Sequence, residues 1–135
     1  MRGILADNDV GGYVHLLHAV WLSDRWRGFW NDLNVVVESF TTLGLAMDSP
    51  DADVWRMCQR EGLVLITGNR NAESPDSLEV VIREENRPES LPVLTLANPR
   101  RIARDREYAE TVALRVLEQL IAIDDFRGTG RVYVP

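Results

Sequence analysis

The sequence predicts an α/β fold in which helices cover both faces of a mostly parallel central sheet of four to five strands. Short apolar runs such as Leu63–Thr67 are typical of strands that are buried on both faces. Between these runs lie longer segments in which apolar residues recur every three or four positions, as they do in amphipathic helices. This alternation of strands and helices is typical of a three-layer α/β/α sandwich.

The first strand is predicted at Gly3–Asp7, and helical periodicity follows it. Ser23 and Asp24 interrupt this periodicity and are residue types that cap helices, so the segment forms either one helix or two. The apolar positions form two stripes at helical spacing: Val14, Leu17 and Trp21, then Trp26, Phe29, Trp30 and Leu33.

The second strand is predicted at Asn34–Phe40, and a linker at Thr41–Asp48 leads to the next helix. Ser49 followed by Pro50 predicts the start of that helix, with the serine as its cap and the proline at its first position. The helix is predicted to run to Glu61 and to end at Gly62. The third strand then follows immediately, at Leu63–Thr67.

The sequence Ser74-Pro75-Asp76 repeats the same helix-start chemistry ahead of a buried stripe of Leu78, Val81 and Ile82. The fourth strand is predicted at Leu91–Leu96, and the longest helix at about Arg101–Ile123. Arg131–Val134 forms a short edge strand, an exchanged tail or a frayed end, of which the edge strand is favoured. The inward positions predicted for the longest helix are Ala103, Tyr108, Thr111, Val112, Leu114, Leu117 and Ile121.

Composition limits the class of protein. The 135 residues, 45% of them apolar, fit one domain spanning 1–135. The net charge of −6 argues against a general nucleic-acid coat protein, because the phosphate backbone favours dense positive charge. All 15 basic residues are arginine, which excludes lysine chemistry such as Schiff-base formation. A single cysteine, Cys58, together with the lack of a signal peptide or a membrane-spanning run, predicts a cytoplasmic protein with no membrane association.

Acidic side chains gather where predicted strands end and helices begin. Asp7 and Asp9 follow the first strand, and Asp51 and Asp53 lie in the first turn of a helix. Strand ends at the carboxyl edge of a parallel sheet are usual ligand sites, and carboxylate oxygens are ligands for Mg²⁺ or Mn²⁺. The alternative is structural: Asp9 would cap a helix, Asp7 would hold a turn, and the helix dipole would stabilise the other two acids.

Other polar residues lie beside these acids. Asn69 and Asn71 follow the third strand, where amides can orient water or bind a base edge but cannot supply negative charge; the nearby Glu73 could replace a carboxylate. His15 and His18 could share a helix face, and zinc binding with Cys58 is the alternative to a structural role. The last helix begins with a cluster that either contacts phosphates or forms a solvated face balanced by acids: Arg100, Arg101, Arg104 and Arg106.

Taken together, these strand ends resemble the PIN-domain-like proteins, in particular the small stand-alone bacterial branch. The resemblance covers about residues 2–98. It consists of the acidic end of the first strand, the Ser-Pro-Asp helix start at 49–51, and the sequence Leu-Ile-Thr-Gly-Asn-Arg-Asn at 65–71. The family usually has Thr-x-Asp-x-Asp at this last position, and here both aspartates are replaced by asparagine.

The resemblance implies an α/β/α sandwich and, in active members, a Mg²⁺- or Mn²⁺-dependent ribonuclease, sometimes a toxin opposed by a partner antitoxin. It assigns catalytic roles to Asp7, Asp51 and Asn69 and metal binding to Asp7, Asp9 and Asp51. The substrate-binding candidates that follow from the resemblance and from the neighbouring polar residues are Thr67, Asn71, Asn98, Arg100 and Arg101.

Three hypotheses about function follow. The chain is a metal-dependent ribonuclease, or it is a degenerate PIN-like module that binds RNA, a nucleotide or a protein partner without cleaving it. A phosphoacceptor receiver domain is rejected, because the chain has no lysine and its third strand ends in Asn69. If part of the aromatic stripe at Trp26, Phe29 and Trp30 is exposed, it predicts a homodimer.

Overall fold

Five parallel strands form one sheet in a computed structural model of the protein, which describes residues 1–68 and 77–135. The order across the sheet is β2-β1-β3-β4-β5, and every neighbouring pair is parallel. The predicted parallel sheet is therefore confirmed, with five strands. The strands are β1 (Gly3–Ala6), β2 (Val36–Glu38), β3 (Leu63–Thr67), β4 (Val93–Leu96) and β5 (Arg131–Val134).

Helices cover both faces of the sheet, so the three-layer α/β/α sandwich predicted from the sequence is confirmed. Alternate strand residues enter two separate apolar cores: Ile4 and Ile66 pack under one layer, whereas Leu5 and Leu65 pack under the other. The α1 face carries α1 (Gly11–Trp21), α2 (Arg27–Leu33), α6 (Pro99–Arg104) and α7 (Arg106–Ile121), and the α4 face carries α3 (Phe40–Leu43), α4 (Asp51–Glu61) and α5 (Leu78–Glu85).

The connections between strands determine which segments meet at the carboxyl edge of the sheet. After β1 the chain passes to the α1 face, and after β3 it passes to the α4 face. The connections that leave these two central strands therefore lie on opposite faces of the sheet. The connections from β3 to β4 and from β4 to β5 both move toward the β5 edge of the sheet, but they cross opposite faces. These two crossovers therefore have opposite hands, whereas most crossovers between parallel strands are right-handed. This last connection brings α6 beside α1.

The prediction of one long helix at about Arg101–Ile123 is wrong, because the segment contains two helices. The chain is extended at Asp105, whose side-chain oxygen accepts a hydrogen bond from the amide of Tyr108 at 3.1 Å and so caps α7. The break changes which positions face inward. Val112 and Leu117 are buried as predicted, Tyr108 and Leu114 are half-buried, and Ala103, Thr111 and Ile121 are exposed, contrary to the prediction.

Several other boundaries differ from the predictions for local reasons. Ser49 does not cap α4, because its hydroxyl donates instead to the carbonyl of Ala46 at 2.7 Å, and the helix begins after Pro50. Asn34 adopts a left-handed conformation (φ 51°) that closes α2, so β2 starts later than predicted. Ser39 forms a reciprocal cap with Thr42 and starts the short helix α3 within the predicted linker. The predicted helix start at residues 74–76 lies outside the described residues.

The region left open as one helix or two contains α1 and α2, and their aromatic residues have different environments. Trp21 and Trp30 are buried and stack with ring centroids 4.6 Å apart, whereas Phe29 is 55% exposed and Trp26 is half-buried. The aromatic stripe is therefore divided between the core and the surface. A homodimer through the exposed part stays a prediction.

Replacing Gly3 by alanine is expected to weaken the attachment of β2. A Cβ at Gly3 would overlap the carbonyl oxygen of Val36 and lie 2.7 Å from its Cγ2, so the edge strand would have to move. Overpacking of this kind costs about 1–3 kcal/mol, which urea denaturation would measure as a lower free energy of unfolding. Gly28→Ala is the matched control because, within the part of the chain that the structure describes, a Cβ there meets no atom within 4 Å. Equal stability of the Gly3→Ala variant and the wild type would contradict the observed packing of β1 against β2.

Among residues 1–68 and 77–135, no helix is both long and apolar enough to cross a membrane.

Candidate functional site

The carboxyl ends of β1 and β3 flank a crevice at the point where the chain leaves the sheet toward opposite faces. Ligands bind at such switch points in open parallel sheets because the diverging connections leave room between the strand ends. Asp7 and Asp9 follow β1 on one side of this crevice, and Thr67 and Gly68 stand on the other. Asn98 follows the neighbouring strand β4.

Asp7 is half-buried and held by two hydrogen bonds. Its Oδ2 accepts from the hydroxyl of Thr67 at 2.7 Å, and its Oδ1 accepts from the amide of Asn8 at 2.8 Å. Thr67 is fully buried, so its hydroxyl holds the carboxylate from beneath. This arrangement fixes the direction in which the remaining lone pairs of Asp7 point. Thr67 was predicted to bind substrate, but its contact with Asp7 makes it a residue that positions this carboxylate.

Asp9 reaches across the crevice. Its Oδ2 accepts a hydrogen bond from the backbone amide of Gly68 at 3.2 Å, which links the β1 end to the β3 end. Among the described residues, Asp9 does not cap α1, whose cap position is Val10 without a side-chain bond. The structural alternative proposed for Asp9 is therefore wrong. For Asp7, which does hold the turn at Asn8, that alternative is correct in part.

Both carboxyl groups have raised pKa values. Burial is the main cause for Asp7, with a further increase in its pKa from the charge of Asp51, and the bonds from Thr67 and Asn8 oppose it. Partial burial also raises the pKa of Asp9, and the negative charges of Asp7 and Asp51 raise it further. Neither Asp7 nor Asp9 forms an ion pair within the part of the chain that the structure describes. Negative charge thus accumulates in the crevice without a compensating cation from these residues.

Asp51 is near enough to influence both carboxylates electrostatically but is not part of a closed ligand set. It is half-buried at the first position of α4, whereas Asp53 is exposed and pairs with Arg56 at 3.5 Å. Within the described residues, no three His, Cys, Asp or Glu side chains are grouped so that they could hold a metal ion. Of the predicted metal set, Asp7 and Asp9 are each held by a hydrogen bond from the end of β3, and Asp51 acts on both through its charge.

The arginines of α6 and the start of α7 form a mixed surface beside this crevice. Arg101 bonds Asp105 at 3.2 Å and stacks on the Tyr108 ring at 4.4 Å, and the exposed Arg106 pairs with Glu110. Arg100 and Arg104 are exposed and have no ion pair among the described residues. The alternative of a solvated helix face balanced by acids is thus correct for Arg101 and Arg106. Arg100 and Arg104 are available for an anion.

Three of the predicted side chains belong to the segment after Gly68. Asn69, Asn71 and Glu73 lie outside the described residues, so their predicted roles stay predictions. Asn98, which occupies the cap position of α6, is exposed and makes no side-chain capping bond, so its amide is accessible at the crevice.

The alternative of a zinc site does not hold. His15 and His18 lie on the α1 face, whereas Cys58 is buried on the α4 face, and the sheet separates them. His18 packs against the rings of Trp21 and Trp30, and partial burial together with His15 lowers its pKa. Burial raises the pKa of Cys58 to about 12, so its thiol stays protonated. The structural role proposed for the histidine pair fits His18.

Sequence reasoning missed a buried polar network on the α4 face of the sheet, between β4, β5 and α5. Arg131 of β5 donates to the hydroxyl of Thr95 at 2.6 Å and to Glu79 of α5 at 3.0 Å, and its side chain is only 6% exposed. Thr95 is fully buried. Alternation along β5 was the available signal, because it places Arg131 and Tyr133 on the face opposite Val132 and Val134. This network fixes β5 to α5.

A cavity of about 650 Å³ lies away from the acidic crevice, at the amino ends of the strands between α4 and α5. Trp55, Gln59, Asn86 and Leu91 are among the residues that line it. The amide of Gln59 bonds both the amide and the carbonyl of Leu91, at 2.9 Å each, so this wall serves to hold the loop before β4. The paired carboxylates with raised pKa values favour the crevice as the functional site.

Fold and site together define a parallel α/β protein with an acidic crevice at the switch point of its sheet. Comparisons of the chain with models of protein families, with curated proteins and with solved structures found no match.

Proposed function

We propose that this protein is a PIN-like, Mg²⁺- or Mn²⁺-dependent ribonuclease whose reactive centre is the crevice between β1 and β3. The observation that supports this proposal is the Asp7–Asp9 pair. Burial raises the pKa of both groups, and repulsion from neighbouring acids raises it further, from Asp51 in the case of Asp7 and from Asp7 and Asp51 in the case of Asp9. Neither group has an ion-pair partner among the described residues. A divalent cation would relieve that repulsion, and hard oxygen ligands suit Mg²⁺ and Mn²⁺.

The donor set fits such an ion in part. Mg²⁺ commonly keeps several waters and binds through one or two carboxylates together with substrate phosphates, so the Asp7–Asp9 pair is sufficient as a protein contribution. Asp51 would add negative charge beside it. A bound cation would neutralise charge on the phosphate and lower the pKa of a coordinated water.

The residues of this chain supply orientation and substrate contacts. Thr67 holds Asp7 through its hydroxyl, and the Gly68 amide holds Asp9. Arg100 and Arg104, together with the accessible amide of Asn98, form the part of the surface beside the crevice that can contact an RNA backbone. Because the net charge of the chain is −6, phosphate contacts are expected to be confined to these three residues.

A second candidate is a PIN-like module that binds RNA, a nucleotide or a protein without cleaving it. The observation that favours it is that no three ligand side chains are grouped for a metal ion among the described residues. Two-metal phosphoryl chemistry needs carboxylates on both ions, which an Asp7–Asp9 pair alone does not supply.

Calorimetric titration with Mn²⁺ of the wild type beside Asp7→Asn tests the first proposal. We expect micromolar binding by the wild type and none by Asp7→Asn, because the variant removes a charge from the pair. Asp53→Asn is the matched control, since Asp53 carries the same group in the first turn of α4 but is exposed and paired with Arg56.

Single-stranded RNA cleavage with the same three proteins decides between the two candidates. Mn²⁺-dependent cleavage by the wild type and Asp53→Asn, lost in Asp7→Asn, supports the nuclease. Mn²⁺ or RNA binding without cleavage supports the binding module. A wild type that does not bind Mn²⁺ overturns the metal-dependent proposal.

Two partners remain predictions. The resemblance to PIN-like proteins implies an antitoxin-like protein partner. The 55% exposure of Phe29 leaves part of the aromatic stripe available for a second copy of the chain.

A further inference from the structure

Gly68 lies where three strand ends meet. A Cβ built on it would stand 3.1 Å from Oδ2 of Asp9, 3.3 Å from Cγ1 of Val10 and 3.3 Å from Cγ of Pro99. These atoms belong to the segments after β1 and β4, and Gly68 itself follows β3. The segments after β1 and β4 therefore pack closely against Gly68 and leave little room for a side chain there.

A left-handed φ does not explain the glycine at this position. Glycine is commonly required where φ is positive, as it is here at Gly44, Gly62, Gly128 and Gly130, but Gly68 lies outside that left-handed region. The constraint at this position is therefore spatial, and among the described residues the atom nearest to an added Cβ is the carboxylate oxygen of Asp9 at 3.1 Å.

We infer that Gly68 is a positioning residue for the crevice, and this inference rests on the proposed metal-dependent function. Its amide donates to Asp9 at 3.2 Å, and the lack of a side chain allows the carboxylate to approach that amide. The two effects act on the same oxygen. Gly68 thereby fixes the Asp9 carboxylate at the end of β3, where the hydroxyl of Thr67 holds Asp7.

Gly68 thus contributes to the site through its backbone amide although it has no side chain. Groups that hydrogen-bond a metal ligand from behind commonly change metal affinity by about 10–100-fold when they are altered. With a Cβ at 3.1 Å, the Asp9 carboxylate would have to move by a few tenths of an ångström, and we expect this movement to weaken its bond to the amide. The consequence for metal binding should therefore lie at the lower end of that range.

Gly68→Ala tests this inference, with Gly12→Ala as the matched control. Both changes add one methyl group close to Asp9 in sequence or in space, but a Cβ at Gly12 meets no atom of the described residues within 4 Å. In Mn²⁺ calorimetry we expect Gly68→Ala to bind about tenfold more weakly than the wild type, and Gly12→Ala to bind equally well. Circular dichroism checks that both variants are folded.

A second measurement separates positioning from general distortion and needs no metal. Carboxyl ¹³C resonances of aspartate-labelled protein, assigned with Asp9→Asn and Asp7→Asn, report each side chain individually. We expect Gly68→Ala to shift the resonance of Asp9 and leave that of Asp7 in place. A shift of both resonances, or of neither, would overturn the inference.

The outcomes distinguish this inference from the proposed function. If the wild type binds Mn²⁺ and Gly68→Ala binds it equally tightly, the role of Gly68 is refuted and the metal site stands. If the wild type does not bind Mn²⁺, the proposed function and the effect of Gly68 on metal affinity both fail. The carboxyl resonances then decide whether Gly68 orients Asp9.

Discussion

Replacing Asp7 by asparagine is expected to raise the free energy of unfolding of the metal-free protein at pH 7. Burial and the charge of Asp51 raise the pKa of Asp7 in the folded state, so the ionised carboxylate is less stable there than in the unfolded chain. An amide of the same shape removes this cost. The variant should therefore be more stable than the wild type although it is expected to lose function.

The advantage of the variant should depend on pH in a defined direction. Because the folded-state pKa of Asp7 lies above its unfolded value of 3.8, the folded wild type binds a proton more readily than the unfolded chain does. The wild type thus gains stability relative to the variant as the pH falls through the folded-state pKa, and the gap closes below about pH 3.8. Urea denaturation between pH 3.5 and 7 in buffer with a chelator would measure this change.

Mn²⁺ should reverse the order of stabilities at pH 7. A ligand that binds only the folded state stabilises it by about 2.7 kcal/mol at a hundred times its dissociation constant, and this gain is available only to a protein that keeps the carboxylate pair. Thermal unfolding of the wild type should therefore shift upward with Mn²⁺, while that of Asp7→Asn should not. Asp53→Asn should follow the wild type in both conditions. A less stable Asp7→Asn protein in chelator would contradict the electrostatic account of the crevice.

The sheet was predictable because its signal is local. The apolar run at Leu63–Thr67 identifies a strand buried on both faces, and the alternation of strands and helices determines the layer type. The position of Asp7 and Asp9 at the edge of the sheet follows from the same reasoning, because parallel strands all end at one edge. Neither conclusion required knowledge of which strands are neighbours.

The contacts within the crevice were not predictable, because they join residues that are distant in sequence. The bond from Thr67 to Asp7 spans 60 positions and the bond from Gly68 to Asp9 spans 59, and both depend on β1 lying beside β3. The break at Asp105 was missed for another reason. Apolar spacing continues across it, whereas the side chain of Asp105 caps a new helix, which periodicity alone does not detect.

Replacing Trp21 by alanine is expected to lower the free energy of unfolding by about 3–5 kcal/mol, the range typical for removing a large buried aromatic residue. Trp21 is fully buried, stacks on Trp30 with 9° between the ring planes, and donates its indole N–H to the carbonyl of Ala113 in α7 at 2.8 Å. One side chain thus joins α1, α2 and α7. Its removal leaves a cavity at the centre of the α1 face. Urea denaturation would measure the loss.

Two control variants separate the contributions of Trp21. Trp21→Phe keeps an aromatic ring against Trp30 but removes the N–H donor, so it should cost about 1–3 kcal/mol, as expected when a buried hydrogen bond is broken. Phe29→Ala removes an aromatic ring that is 55% exposed, and changes at exposed positions usually stay within about 0.5 kcal/mol. If Phe29→Ala were as destabilising as Trp21→Ala, the division of the aromatic stripe between core and surface would be wrong. The exposed half would then have to be covered in solution, as the predicted homodimer requires.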